Sequence, residues 1–251
     1  MRYSACIEWL FAAEEPDVAN RIRAAKAAGL DAVEFWRFSN KDLDAIGSAL
    51  AETGLTLGGI LCEPTAPIVD PATHDAFLEG LQTSLAVARQ LGAKVIIAQT
   101  GDDQPGVARV AQHAAIVKVL KEAAKLLEGS GVVLALEPLN DRVDHPGYYL
   151  TSTEEGLDIV DEVARPEVRL LYDIYHAAVM GEEIDLLAGR LDRVVHVHLA
   201  DTPGRGAPGS GRLDYVERLH WLAAQGYDGL IGLEYKPGGP TLETLGFREL
   251  V

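Results

Sequence analysis

The chain alternates short apolar runs with longer helical ones eight times, and glycines stop most of the helical runs. The apolar runs are Tyr3–Ile7, DAVEFW, LTLGGIL, AKVIIAQ, VVLALE, VRLLYD, RVVHVHLA and LIGLEY. Helices are expected at about Asp17–Ala28, Lys41–Glu52, Thr73–Leu91, Val107–Leu127, Thr153–Val163, Ile184–Ala188 and Leu213–Ala224, with a short last one ending at Val251. Gly29, Gly54, Gly92, Gly129 and Gly226 fall where helices need a left-handed terminator. Ser152 or Thr151 reads as the N-cap of the fifth helix. Unbroken strand–helix alternation implies a parallel sheet, and strands apolar on both faces agree with it. Eight such units within 251 residues have the size of one (β/α)8 barrel spanning residues 1–251. An open doubly wound sheet would carry a glycine-rich phosphate turn after its first strand. Residues 8–16, EWLFAAEEP, contain no glycine.

Charge narrows the function. Lys and Arg number 22 against 38 Asp and Glu, a net charge of -16. Nucleic-acid binding needs a basic footprint, and anionic membranes repel such a chain, so neither is expected as a partner. No apolar run approaches the ~18 residues of a membrane span. Glu8 interrupts the stretch where a signal peptide would need apolar residues. Cys6 and Cys62, the two cysteines, sit in apolar runs and read as core thiols of a protein from a reducing compartment. A cytoplasmic location is therefore expected. The sequence leaves a homo-oligomer open.

In a barrel of this kind the chemistry sits at the C-terminal ends of the strands. Strand five ends in Glu137, strand six in Asp173 and then His176. Strand seven carries His196, His198 and Asp201, strand eight Glu234 and Lys236, and strand two Glu34. Side chains alternate faces along a strand. Ala135 with Glu137, Leu171 with Asp173, His196 with His198, and Gly232 with Glu234 each share a face, small or apolar residues lying beneath the polar one. His196 reads as a core histidine. Four consecutive strands, ~4.8 Å apart, thus offer Glu137, Asp173, His198 and Glu234 at one level. Three converging carboxylates repel one another unless a cation joins them. Oxygen-rich ligation with one imidazole suits one divalent ion: Mn2+, Mg2+ or Co2+.

The segments ALEPLNDRVDHPGYYLTST, LLYDIYHAAVM, HVHLADTPGRGAPGSGRLDY and GLEYKPGG resemble hydroxypyruvate isomerases, within the sugar isomerase/epimerase (xylose isomerase-like) superfamily of metal-dependent TIM barrels. SACIEWLF and GLDAVEFW add weaker support. The resemblance implies that Glu137, Asp173, His198 and Glu234 bind the metal, and that Glu137 and Glu234 form the acid/base pair. It also implies that His176 and Arg205 contact substrate, and Glu34 is placed with them. His198 stands where hydroxypyruvate isomerases often carry Gln. The segments LCEPTAP and AQTGDD, after strands three and four, depart from the family's pattern.

The implied reaction interconverts a hydroxy-ketone and an aldehyde through an enediolate. Its substrate would be a small hydroxy-keto acid, with tartronate semialdehyde as the product from hydroxypyruvate. A 3-epimerase of keto-sugars is the alternative on the same residues. Lys236 lies two residues beyond Glu234, one step nearer the barrel mouth, and Arg205 lies in the adjacent glycine-rich loop. Two cations beside a carboxylate-rich site favour a substrate that carries a carboxylate.

Overall fold

A computed structural model describes residues 1–251. Nine strand segments form one parallel sheet: β1 Arg2–Cys6, β2 Ala32–Glu34, β3 Thr56–Leu57, β4 Gly59–Leu61, β5 Val95–Ala98, β6 Val133–Leu136, β7 Val168–Asp173, β8 Val194–Leu199 and β9 Leu230–Leu233. Their order is β3-β2-β1-β9-β8-β7-β6-β5-β4. The glycine-weakened third run is one strand broken at Gly58. Its first half pairs with β2 and its second with β5. Backbone bonds from Gly58 to Val33 (2.7 Å) and from Leu61 to Trp36 (3.0 Å) carry the pairing across the break. The sheet thus returns on itself as the eight-unit barrel, with no free edge to protect.

The helices are α1 Val18–Ala27, α2 Leu43–Thr53, α3 His74–Leu91, α4 Arg109–Leu127, α5 Thr153–Val163, α6 Ile174–Met180 and α7 Tyr215–Ala224. All but α3 and α4 start at a short polar side chain that accepts otherwise unpaired N–H groups. Asp17 accepts from Asn20, Asp42 from Ala45 and Ser152 from Glu155. Gly54 and Gly92 end α2 and α3 in the left-handed conformation. Two expectations are corrected. The sixth helix does not lie at 184–188, where there is a 3-10 turn. It starts directly after β7, because Asp173 caps it. The final helical segment, Thr241–Leu250, is also 3-10.

The main core lies between the sheet and the helices. Inside the barrel the filling is asymmetric. Val95, Ile97, Ala135 and Leu171 form an apolar cluster on the β5–β7 side. Buried Ser4, Glu34, His196 and His198 occupy strands of the other side, where Gly58 and Gly232 leave them room. Apolar burial supplies the stability of the first half, at ~1.5–3 kcal/mol per large side chain. In the second half Glu34 pairs with His196 at 3.0 Å, while the Ser4 hydroxyl and both ring nitrogens of His198 have no hydrogen-bond partner.

No helix is long and apolar enough to cross a membrane.

Candidate active site

Glu137 and Glu234 follow β6 and β9, Asp173 ends β7, and His198 lies within β8. Register sets Asp173 beside His198, and His198 beside Gly232. All four polar side chains are buried, and one ligand atom from each lies within 4.8 Å of the others. Nδ1 of His198 is 3.3 Å from Glu234, 3.4 Å from Glu137 and 4.0 Å from Asp173. It has no hydrogen-bond partner. Burial pushes the Asp173 carboxyl up, although Arg205 and His198 pull the other way. Burial also acts on Glu234, but there His198 and Arg205 win and hold the carboxyl well below the usual carboxylate range. His198 is raised well above its ordinary value: burial opposes this, and the Glu234 and Glu34 charges outweigh it. A buried imidazole nitrogen without a partner, ringed by three carboxylates, is a donor set that fits a divalent cation.

Asp173 serves two ends. Its Oδ1 accepts from the N–H groups of Tyr175 (2.7 Å) and His176 (3.2 Å), capping α6. Its Oδ2 faces the cluster. The helix cap fixes the carboxylate's rotation and leaves one oxygen for the site.

Glu34, expected to contact substrate, lies elsewhere. It is buried beneath the cluster and does not line the cavity. One oxygen stands 2.9 Å from Nε2 of His198, the other 3.0 Å from Nε2 of His196. The expected core histidine, His196, is thus a partner of Glu34. The carboxylate reaches this position because β9 carries no side chain at Gly232. A Cβ there would come within 2.5 Å of Glu34 and 2.6 Å of His198.

A cavity of about 360 Å3 opens above the cluster. Among its lining residues are Glu137, His198, Glu234, His176, Arg205 and Lys236. Nδ1 of His176 accepts from the Asn140 backbone N–H (3.1 Å), so the neutral ring carries its proton on Nε2. That Nε2 has no hydrogen-bond partner, and burial lowers the ring's pKa to about 4. Arg205, at a positive φ of 55°, turns inward to pair with Glu234 and stands 3.7 Å from Asp173. The rings of Trp9 and Tyr175 flank its guanidinium at 5.0 and 5.2 Å. Lys236 is exposed at the mouth, its ammonium 5.7 Å from the Trp9 ring.

Several lining residues escaped the reading by strand ends. Trp36 donates from Nε1 to Glu234 at 2.6 Å. It lies two residues beyond Glu34, and that phase could have found it. Gln99 follows β5 in phase with Val95 and Ile97, and it carries no charge to draw attention. Arg37 lies one residue further along than Trp36, and only the bend of that loop brings it to the cavity. Asp201, another of the strand-end groups, organises the next loop. Its carboxylate accepts from the N–H groups of Thr202, Gly209, Gly211 and Leu213.

Comparison with known proteins agrees with this architecture. The family model described as xylose isomerase-like TIM barrel matches residues 22–249. Hydroxypyruvate isomerase from Escherichia coli strain K12 is 31% identical, covering 94% of this chain and 94% of its own length. A Mus musculus protein, provisionally given the same name, is 34% identical over 98% of this chain and 93% of its own. A crystal structure titled AP endonuclease, family 2, from Brucella melitensis superposes with a TM-score of 0.91 at 29% identity, covering 99% of this chain and 98% of that one. With its barrel, its strand-end cluster and these full-length relatives, the chain belongs to the hydroxypyruvate isomerase family of xylose isomerase-like TIM barrels, a family of isomerases.

Proposed function

We propose that the protein is a metal-dependent isomerase that interconverts a small hydroxy-keto acid and its aldehyde isomer, of the hydroxypyruvate to tartronate semialdehyde type, through an enediolate. The observation that carries this reading is the pairing of a divalent-cation donor set with cavity-lining cations in one small chamber. Glu137, Asp173, His198 and Glu234 would hold the ion, with Mn2+, Mg2+ or Co2+ the natural candidates for so oxygen-rich a set. When bound, it supplies Lewis-acid stabilisation of negative charge on the substrate oxygens.

Glu137 and Glu234 are the acid/base pair. They come from β6 and β9, on either side of β7 and β8, so they flank a substrate seated over His198. One carboxylate takes the proton from the hydroxyl-bearing carbon, and a proton is returned to the former carbonyl carbon. The hydroxyl proton moves to the former carbonyl oxygen. Atoms and electrons balance within the substrate, and no co-reactant is needed. Trp36 and Arg205 fix both oxygens of Glu234. The Nε2–H of neutral His176 is free to donate to a substrate oxygen as charge develops there.

Arg37 and Lys236 line the same cavity, pair with no carboxylate, and favour an acid over a neutral keto-sugar as substrate. The net charge of -16 speaks for a small molecule and against nucleic acid.

The test is hydroxypyruvate turnover before and after removal of divalent ions with a chelator. Activity should fall to background and return with Mn2+, Mg2+ or Co2+. Full activity in rigorously metal-free protein would overturn the reading.

A further inference from the structure

The loop after β6 meets α6 at Asn140. This side chain is fully buried, and every hydrogen-bonding position of its amide is used. Oδ1 accepts from the N–H groups of Val143 and Asp144, each at 3.0 Å, which settles which end of the amide is oxygen. Nδ2 donates to Asp144 Oδ2 at 2.7 Å and to Nδ1 of His176 at 2.7 Å. The Asn140 backbone N–H reaches the same Nδ1 at 3.1 Å. We propose that Asn140 is a positioning residue of the active site, which locks His176 as a neutral imidazole with its one proton on Nε2, toward the carboxylate cluster. The inference rests on the isomerase reading above and adds to it how the His176 donor is kept in one state.

The loop by itself does not call for asparagine. Oδ1 closes the turn, and Asp, Ser or Thr can serve a turn in the same way. The amide nitrogen is what those residues lack. An Asp here would set a second carboxylate oxygen against Asp144 and an acceptor against Nδ1 of His176.

The arrangement leaves the ring one state. Asp144 Oδ2 also accepts from the Tyr175 hydroxyl at 2.7 Å, so the acceptor that anchors the amide is itself held. The rings of His145 and Tyr175 pack against His176, with centroids at 5.6 and 5.2 Å. Two N–H groups converge on Nδ1, and a proton there would point at both. The Nδ1–H tautomer and the doubly protonated ring are thus both disfavoured. Nε2 has no hydrogen-bond partner and stands 3.5 Å from Asp173 Oδ2, so this edge of the ring meets the cluster.

The chemistry gains from that state. A neutral imidazole shares its proton with the oxygen on which enediolate charge develops, and keeps it. An imidazolium would hand the proton over, and the Nδ1–H tautomer would present a lone pair to the same oxygen. The proton stays on His176 throughout, and the carboxylates carry out the transfers. Asn140 touches no reacting atom and acts only through the ring.

The experiment combines long-range proton–nitrogen NMR of the histidine rings, at about pH 8 in Mg2+-loaded protein, with hydroxypyruvate kinetics. The His176 signals are identified by their loss in His176→Gln. The wild type should show Nδ1 bare and Nε2 protonated. Asn140→Asp should draw a proton to Nδ1 and lower kcat by at least about tenfold, with KM within about threefold because Arg37 and Lys236 are untouched. The exchange Asn140→Asp with Asp144→Asn restores a donor–acceptor pair between the two side chains. It should recover thermal stability lost in Asn140→Asp, yet keep the altered ring and the low kcat. A protonated Nδ1 in the wild type would overturn the inference, and so would a bare Nδ1 or a wild-type kcat in Asn140→Asp. Recovery of kcat together with stability in the double variant would make Asn140 merely structural and overturn it too. A wild type that turns over no hydroxy-keto acid would overturn the isomerase reading instead, and the ring spectra would still decide whether Asn140 sets the tautomer. The wild-type spectrum and the double variant decide the case even if Asn140→Asp does not fold.

Discussion

Glu34 Oε1 lies 2.9 Å from Nε2 of His198, on the far side of the imidazole from the three carboxylates that its Nδ1 faces. A carboxylate behind a ligating histidine fixes the ring's orientation and raises its basicity. Glu34→Gln is therefore expected to weaken divalent-ion affinity by about 10–100-fold with the fold intact. Titration against a metal-responsive chelating dye measures it, and unchanged affinity would remove Glu34 from the site. Glu34→Ala should also lower stability, by ~1–3 kcal/mol, since His196 and His198 lose a buried partner together.

Gly232 is the second half of that arrangement. Adding a methyl group forces the Glu34 carboxylate and the His198 ring to move. Gly232→Ala should cost ~1–3 kcal/mol in denaturant unfolding, the usual range for overpacking, and should lower metal affinity as well. A variant of wild-type stability and affinity would mean that this half of the barrel interior yields easily.

Glu137→Gln and Glu234→Gln should each reduce turnover by at least ~10²-fold. At least one of them should also stop exchange of the substrate's carbon-bound proton with deuterated solvent. Near-normal turnover in both would make the pair structural.

The three cations should separate by role. Arg205 pairs with Glu234 and stands close to Asp173, so Arg205→Met should impair an acid and a neutral ketose alike. Lys236→Met and Arg37→Met remove charges that pair with no carboxylate in the structure. Each should lower kcat/KM on hydroxypyruvate by ~10-fold, or ~1.4 kcal/mol, with little change on the ketose. Equal losses on both substrates from Lys236→Met would favour the keto-sugar epimerase.

Burial pushes the Cys62 thiol up to about 12, and the charge of Glu63 adds to it. Cys6 is raised too, by burial and by Glu234 and Glu34. At pH 8.5 only roughly one Cys62 in a few thousand is thiolate, the reactive form. Neither cysteine should react with a thiol reagent in the native protein at that pH, and both should react in denaturant. Rapid labelling of either one in the native state would contradict the burial described for them.

The order of strands and helices was legible in the sequence, because backbone geometry ties apolar period and capping residues to local structure. Strand phase likewise brought out Glu137, Asp173, His198 and Glu234, since alternation along a strand is a local rule. Cross-barrel relationships were not legible. Whether Glu34 faces substrate or the back of His198 depends on strand tilt and on the space above Gly232. Arg205 reads as a substrate cation in the sequence, and only the folded loop turns it onto Glu234. Local preferences are written residue by residue, whereas a buried charge takes whichever partner the closed barrel places within reach.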